Sequence, residues 1–233
     1  MQLFKKKHIE TNEENLSYIY KCGEIYDISE IVVGSLFDVS VSEETEDVII
    51  SIAKIYEKHL SSRFDIENHN TYKTAKLYAT LPGRFESTGK DRAKIVLPKS
   101  KLNLIKVELS GAANMVGGHF NALSSTIDIS GAAALEASIS SQRVNISASG
   151  ASNVSLKGSV HTLNIDASGS SIVYAGDVDS DNAFIEAYGV ARVVVNSSHC
   201  AAGHASGAST ILYAGNVKYE DIKTSGAARK KEI

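Results

Sequence analysis

Three residues in the C-terminal half have the types and spacing that chemistry would need. His161, Asp181 and His199 each stand eight positions before a glycine of a recurring Ser-Gly-Ala-like triplet. If that period is one turn of a coil, two imidazoles flank a carboxylate on consecutive turns, a set able to hold Zn²⁺ or polarise a water. Cys200 follows His199 and reads as packing rather than as a ligand. A second set is the column three positions before each glycine: Glu108, Asp128, Ser147, Asp166, Glu186, His204 and Lys223. Stacked carboxylates repel by roughly 0.2–1 kcal/mol per pair unless a cation offsets them. Ser147 interrupts this column and His204 and Lys223 reverse its sign, so a solvated face accounts for it better than a cation site. The third set is a repeated tyrosine text, Tyr174-Ala175-Gly176-Asp177-Val178 and Tyr213-Ala214-Gly215-Asn216-Val217, whose rings could stack on a sugar or simply cover a corner of the fold. Tyr174, Tyr213, Asp166, Glu186 and His204 are therefore the candidate binding surface, and His161, Asp181 and His199 are weak candidates for a metal. No residue is assigned a catalytic role and no cofactor is expected.

What must position these residues is the repeat itself. Gly111, Gly131, Gly150, Gly169, Gly189, Gly207 and Gly226 follow one another at intervals of 20, 19, 19, 20, 18 and 19 residues. A period near 20 is that of a solenoid, in which one turn of chain cannot bury its apolar face alone. Four positions before the glycines stand Val107, Ile127, Ile146, Ile165, Ile185, Gly203 and Ile222. Two before stand Leu109, Ile129, Ala148, Ala167, Ala187, Ala205 and Thr224, and four after come Met115, Leu135, Val154, Val173, Val193 and Ile211. By the two-residue period of a strand these columns face inward. Each turn then holds a strand, a glycine corner that needs positive φ and no Cβ, a second strand and a variable connection such as Gly117-Gly118-His119 or Ser138 to Ser141. The expected fold is all-β, a single-stranded parallel β-helix of about 19–20 residues per turn, right-handed as parallel crossovers almost always are, with an irregular N-terminal cap region.

Residues 1–30 read as a lead-in and cap, and 31–229 as one β-helix domain, irregular over 31–100 and regular over 101–229. Within the irregular part, Ile25 to Val41 resembles a degenerate first copy with its corner at Gly34. Val48 to Ile52, Phe64 to Ile66, Lys76 to Thr80 and Ala93 to Leu97 read as strands, and Ala53 to Phe64 as a short helix or an irregular excursion. Residues 230–233 read as a basic tail, with Lys230 standing where the apolar column held Val193 and Ile211.

The 233 residues carry a formal charge of -3, so nothing in the overall balance favours nucleic acid, and Lys5-Lys6-Lys7 is too short for a polyanion patch. Two cysteines, Cys22 and Cys200, give no disulfide framework. No apolar run reaches the length of a membrane span. The N-terminus lacks the apolar core of a secretory signal, which by itself points to the cytoplasm.

The recurrent text exemplified by Ile127-Asp128-Ile129-Ser130-Gly131-Ala132, the closing Tyr213-Ala214-Gly215-Asn216-Val217 and the opening Phe37-Asp38-Val39-Ser40-Val41 resemble the head GIN domain of the auto-transporter adhesin family, DUF2807. The resemblance spans roughly residues 31 to 229. It implies a right-handed parallel β-helix, an adhesin-like role and a cell-envelope location. The chain departs from that family in placing Ala or Ser where Gly usually follows Ser-Gly-Ala, and Val217 where Pro is common. The expected function is a non-enzymatic binding or structural module for a protein or glycan ligand. A cytoplasmic scaffold that self-associates into homo-oligomers is the alternative, and a polysaccharide-active β-helix enzyme is a more distant one.

Overall fold

A computed structural model of the chain describes residues 6–10, 15–20, 26–53, 60–68, 73–80 and 92–233. Eighteen strands form one continuous sheet wound into a solenoid. In chain order they are β1 (Lys6–Glu10), β2 (Asn15–Tyr20), β3 (Tyr26–Val33), β4 (Phe37–Ser42), β5 (Val48–Ala53), β6 (Ser61–Asn68), β7 (Lys73–Thr80), β8 (Ala93–Pro98), β9 (Leu102–Leu109), β10 (Asn114–Phe120), β11 (Ser124–Ile129), β12 (Ala134–Ala148), β13 (Asn153–Ala167), β14 (Ile172–Ala187), β15 (Arg192–Ala205), β16 (Thr210–Ala214), β17 (Tyr219–Thr224) and β18 (Arg229–Glu232). Among the described residues the only helical element is a 3-10 turn at Lys99–Lys101. The helix-or-excursion expected after Ala53 falls largely on residues 54–59, outside the described residues. Phe64 to Ile66, at its far end, lie in β6.

From β9 onward the columns read from the sequence stack as expected. Ile127 pairs with Val107 and Ile146, Ile165 with Ile185, and Asp166 with Glu186, all in parallel ladders. The inward columns are buried, with Met115, Val154, Val173, Val193 and Ile211 fully so. Gly203 replaces an isoleucine between Ile185 and Ile222 and takes φ +143. Thr224, on the last turn, is exposed rather than inward.

The glycine corners follow from one distance. A Cβ built on Gly131 would lie 2.6 Å from the carbonyl oxygen of Gly111, and one on Gly150 would lie 2.6 Å from that of Gly131. The same oxygens accept from Ala132 N and Ala151 N at 2.7 Å. Rung thus bonds to rung through the corner, with φ near +70 to +75 and no room for a side chain. The second residue after each glycine from Gly111 to Gly207 is small and buried: Ala113, Ala133 and Ala191, or Ser152, Ser171 and Ser209. Ser209 donates to Ala187 O and Ser206 O.

The opposite side of each turn differs from the expected connection. β12, β13, β14 and β15 are 14–16 residues long and bend through it without a break, so pairing continues from Ser138↔Lys157 to Arg143↔Thr162. Breaks in register take the place of loops, between Ala175/Asp179 and between Ser180/Asn182.

The N-terminal part departs furthest from chain order. β3 and β4 form a rung lying between the rung of β7 and β8 and that of β9 and β10, since β3 pairs in parallel with both β7 and β9, and β4 with both β8 and β10. Antiparallel strands then extend the sheet at two places: β6 on β7, and β5 on β8 followed by β2 and β1. The expected lead-in therefore contributes β1, β2 and the start of β3. Arg92 ties three rungs together, donating to Asp38 Oδ1 at 2.8 Å, Phe37 O at 3.3 Å and Ala112 O at 2.6 Å. In the β3–β4 rung the left-handed corner residue is Ser35, φ +68, not Gly34, because Ala112 N bonds Ser35 O and Ser110 N bonds Val33 O. Phe37 fills the buried site that Ala or Ser occupies elsewhere.

The residues expected as a tail form a strand. β18 pairs with β16, and Lys230 reaches across the end of the core to Glu220 Oε1 at 2.9 Å and Ile222 O at 2.7 Å. Glu220 stands in the column that holds Leu163, Ala183 and Ala201 on earlier turns, so an ion pair closes the apolar stack. That hydrogen bond to Lys230 holds the Glu220 carboxyl below its usual value.

Candidate functional site

The acidic column forms a ladder on the face built by β9, β11 and the C-terminal halves of β12 to β15. Glu108 lies beside Asp128, and Lys106 lies 2.5 Å from Glu108. The hydrogen bond to Glu108 raises the Lys106 pKa, and Asp128 adds to the effect. A lysine of the chain itself thus supplies the cation that stacked carboxylates call for. One turn group further on, Asp166 pairs with Glu186, and Tyr188 donates to Glu186 Oε2 at 2.8 Å. That bond, with burial and the charges of Glu186 and Asp166 following, pushes the Tyr188 phenol up. His204 continues the column, its ring 6.4 Å from that of Tyr188 and its Nε2 3.2 Å from Ser225 Oγ. Asp166, Glu186 and His204 are therefore neighbours, on a face already partnered from within.

The two candidate tyrosines separate. Tyr174 is exposed on the outside of β14, its ring lying over Gly176, where an added Cβ would meet it at 3.2 Å. Tyr213 falls in an inward column opposite Val195 and packs against the core, and burial leads the causes that raise its pKa. No single surface holds both.

Of the His161, Asp181 and His199 set, the structure joins two. His161 Nδ1 lies 2.7 Å from Asp181 Oδ2, and Ser198 donates to Asp181 Oδ1 at 3.2 Å. The hydrogen bond from His161, then that from Ser198, holds the Asp181 carboxyl below its usual value. His199 turns away and sets its ring edge-on to Tyr219 at 5.3 Å. The reason is a bulge in β15: between the pairs Ser180↔Ser197 and Asn182↔Cys200, the two residues Ser198 and His199 stand opposite the single Asp181, and Ser198 is the one that bonds its carboxylate. Cys200, partly exposed with a free thiol, pairs with Asn182 and Tyr219 in the ladders. Among the described residues no cluster of three or more His, Cys, Asp or Glu is placed to hold a metal ion.

The His161–Asp181 pair belongs to a larger feature. A groove of about 920 Å³ runs along the bent side of the solenoid, from Asn121 to Asn216. Ser140, Gln142, Ser159, Asp179, Asn196 and Ser198 line it together with the pair. Asn196 Nδ2 donates to Asp179 Oδ1 at 3.0 Å. Beneath it, buried Ser180 donates to Asn196 O and buried Ser197 to Asp181 O, which fixes the bend from below. Sequence reading found His161 and Asp181 but missed the rest. Their signal lies in two columns: Asn121, Ser140, Ser159, Asp179 and Asn216 stand ten positions before the glycines, and Gln142 stands eight before with His161 and Asp181. Taken as a variable connection, that stretch hid a polar column that runs through it.

Stacked parallel rungs, glycine corners and a polar bend define a β-solenoid that presents a side-chain ladder rather than an enclosed cavity. The chain belongs to the family described as "Putative auto-transporter adhesin, head GIN domain", whose model matches residues 29–217. Among solved structures it is similar to a "putative adhesin" from Bacteroides fragilis NCTC 9343, at 17% identity over 97% of this chain and 100% of that one, TM-score 0.66. A "putative lipid binding protein" from Parabacteroides distasonis ATCC 8503 is similar at 17% identity over 97% and 100%, TM-score 0.58. A "putative adhesin" from Parabacteroides merdae ATCC 43184 follows at 14% over 97% and 98%, TM-score 0.54. At these identities the likeness is one of fold. No curated protein matches the chain. Among the described residues no helix is long and apolar enough to cross a membrane.

Proposed function

We propose that this domain is a non-catalytic adhesive module of the cell envelope and that the polar groove on its bent side is its contact surface. The observation that carries this is the groove's construction. Successive turns each contribute outward polar side chains at the one place where the repeat is free to vary, and buried Ser180 and Ser197 hold that place rigid. A rigid surface loses little freedom on binding, which favours recognition without closure of a lid. The family's adhesin description and the adhesin labels of its structural neighbours support the role and the envelope location. Against a hydrolytic role, the Asp181 carboxylate is bonded through both oxygens, to His161 and Ser198, whereas glycoside hydrolysis needs two carboxyls facing each other across a cleft.

Adherence tests the reading. Beads coated with the domain bind cell or mucosal surfaces, and beads coated with a Ser159→Trp variant, whose exposed position in the groove is filled, lose most of that binding. Equal adherence of the two overturns the assignment.

A further inference from the structure

The groove is defined as much by what it lacks as by what it offers. Its polar lining consists of amides, hydroxyls, the two carboxylates of Asp179 and Asp181, and the His161 imidazole. Among the described residues no lysine, arginine, phenylalanine or tyrosine lines it, and Leu123 is its one exposed large apolar side chain. An anionic polymer would meet two carboxylates with no lysine or arginine beside them in the lining, an unfavourable encounter. A lipid or apolar peptide would find a single exposed large apolar side chain, Leu123, and would have to cover the amides, hydroxyls and carboxylates around it. A peptide strand adds to a sheet only at an unpaired edge, and here the backbone is paired through the bend, Ser140 with Ser159 and Val160 with Ser180.

Resting on the adhesive reading above, we propose that the groove binds a neutral polysaccharide, an uncharged pyranose chain lying along the solenoid axis. Each rung advances about 4.8 Å, close to the length of one pyranose residue in an extended chain. Successive rungs can therefore offer hydrogen-bonding groups to successive sugars. Asp179 is held through Oδ1 by Asn196, and among the described residues none bonds its Oδ2. A carboxylate fixed in this way accepts from sugar hydroxyls by charge-assisted hydrogen bonds, the stronger kind. Asp181, fixed through both oxygens, holds His161 on the next rung, and the imidazole is the group it presents to the chain.

The test begins with the surfaces that domain-coated beads bind. Periodate, which cleaves vicinal diols, is expected to abolish adherence when the surface is pretreated with it, and protease pretreatment to leave adherence intact. Soluble cellohexaose, mannohexaose and xylohexaose compete in the second step, with polygalacturonate and heparin hexasaccharides as anionic controls. At least one neutral oligomer is expected to inhibit, and Asp179→Ala to weaken its binding about ten- to hundredfold. Glu136→Ala, on another face, leaves binding unchanged, and the melting curves of all variants match that of the wild type. Protease-sensitive adherence, inhibition by the anionic oligomers alone, or neutral binding indifferent to Asp179→Ala overturns the neutral-glycan proposal while groove-dependent adherence still stands. Adherence indifferent to Ser159→Trp removes the adhesive reading and the proposal with it.

Discussion

The two sides of each turn obey opposite rules. At the glycine corner every rung from Gly131 to Gly226 repeats one geometry, because the carbonyl of the preceding corner glycine sits where a side chain would begin. At the bent side, the same rungs carry Asn, Ser, Gln, His and Asp, and the register slips at two places in β14 and β15 without opening the sheet. A solenoid needs only part of each turn to be invariant in order to stack. The remainder is free to carry recognition, and the predictions below ask whether that division holds.

The sharpest break should come at the invariant side. In Gly150→Val, a branched side chain is forced into φ +74 with its Cβ 2.6 Å from Gly131 O. Left-handed backbone costs about 1–2 kcal/mol and overpacking about 1–3 kcal/mol more. A loss of about 2–5 kcal/mol follows, a fall in Tm of roughly 5–20 °C by thermal melting. At the bent side Ser159→Asn should stay within about 0.5 kcal/mol of wild type. Equal losses at the two positions would end the comparison.

The glycine side was legible in the sequence for the same reason that it is rigid: from Gly111 onward every corner is glycine, so the period prints itself on the chain. The inward columns were legible because burial selects apolar residues at every second position. The N-terminal rungs were not. Their order in space is β7–β8, β3–β4, β9–β10, and no local pattern in Val48 to Leu97 distinguishes a strand that stacks in parallel from one that runs antiparallel along the edge. The corner at Gly34-Ser35 was misplaced by one residue because a serine there adopts the conformation that glycine adopts elsewhere. The candidate site was half legible. His161 and Asp181 stood out by type, whereas Ser198 took the place expected of His199 through a one-residue bulge in β15 that spacing alone does not resolve.

Ser35 offers a gentler probe of the invariant side. Ser35→Gly removes the left-handed penalty at φ +68 but adds freedom to the unfolded chain. The net expectation is a gain of about 0.5–1 kcal/mol, read as a rise in Tm of roughly 1–4 °C. A loss would mean that Ser35 side-chain contacts outweigh its backbone strain.

The solenoid's end gives a pH-dependent effect of similar or smaller size. Glu220 and Lys230 are each about a third exposed, so their pair is worth about 0–1 kcal/mol. Because the Glu220 pKa is lowered in the folded state, the stabilisation is present above the ordinary value of 4.5 and is lost as pH falls through the lowered one. Lys230→Met should flatten that acid-side decline of Tm relative to wild type, leaving stability at neutral pH nearly unchanged.

The smallest expected effect on stability is the most informative about function. His161 and Asp181 are both more than half exposed, and their bond stands on the outer surface of the bend. The rungs beneath it are already joined by backbone pairing and by Ser180 and Ser197, so the fold does not depend on it. Asp181→Asn should therefore leave the denaturant midpoint unchanged at neutral pH while removing the carboxylate that positions His161, and adherence through the groove should fall. If the midpoint drops and adherence drops in parallel, the pair is a structural tie between turns and the bent side is no freer than the glycine side. If adherence alone falls, the two sides divide their work as their geometry suggests: one holds the rungs together, and the other is left to meet a ligand.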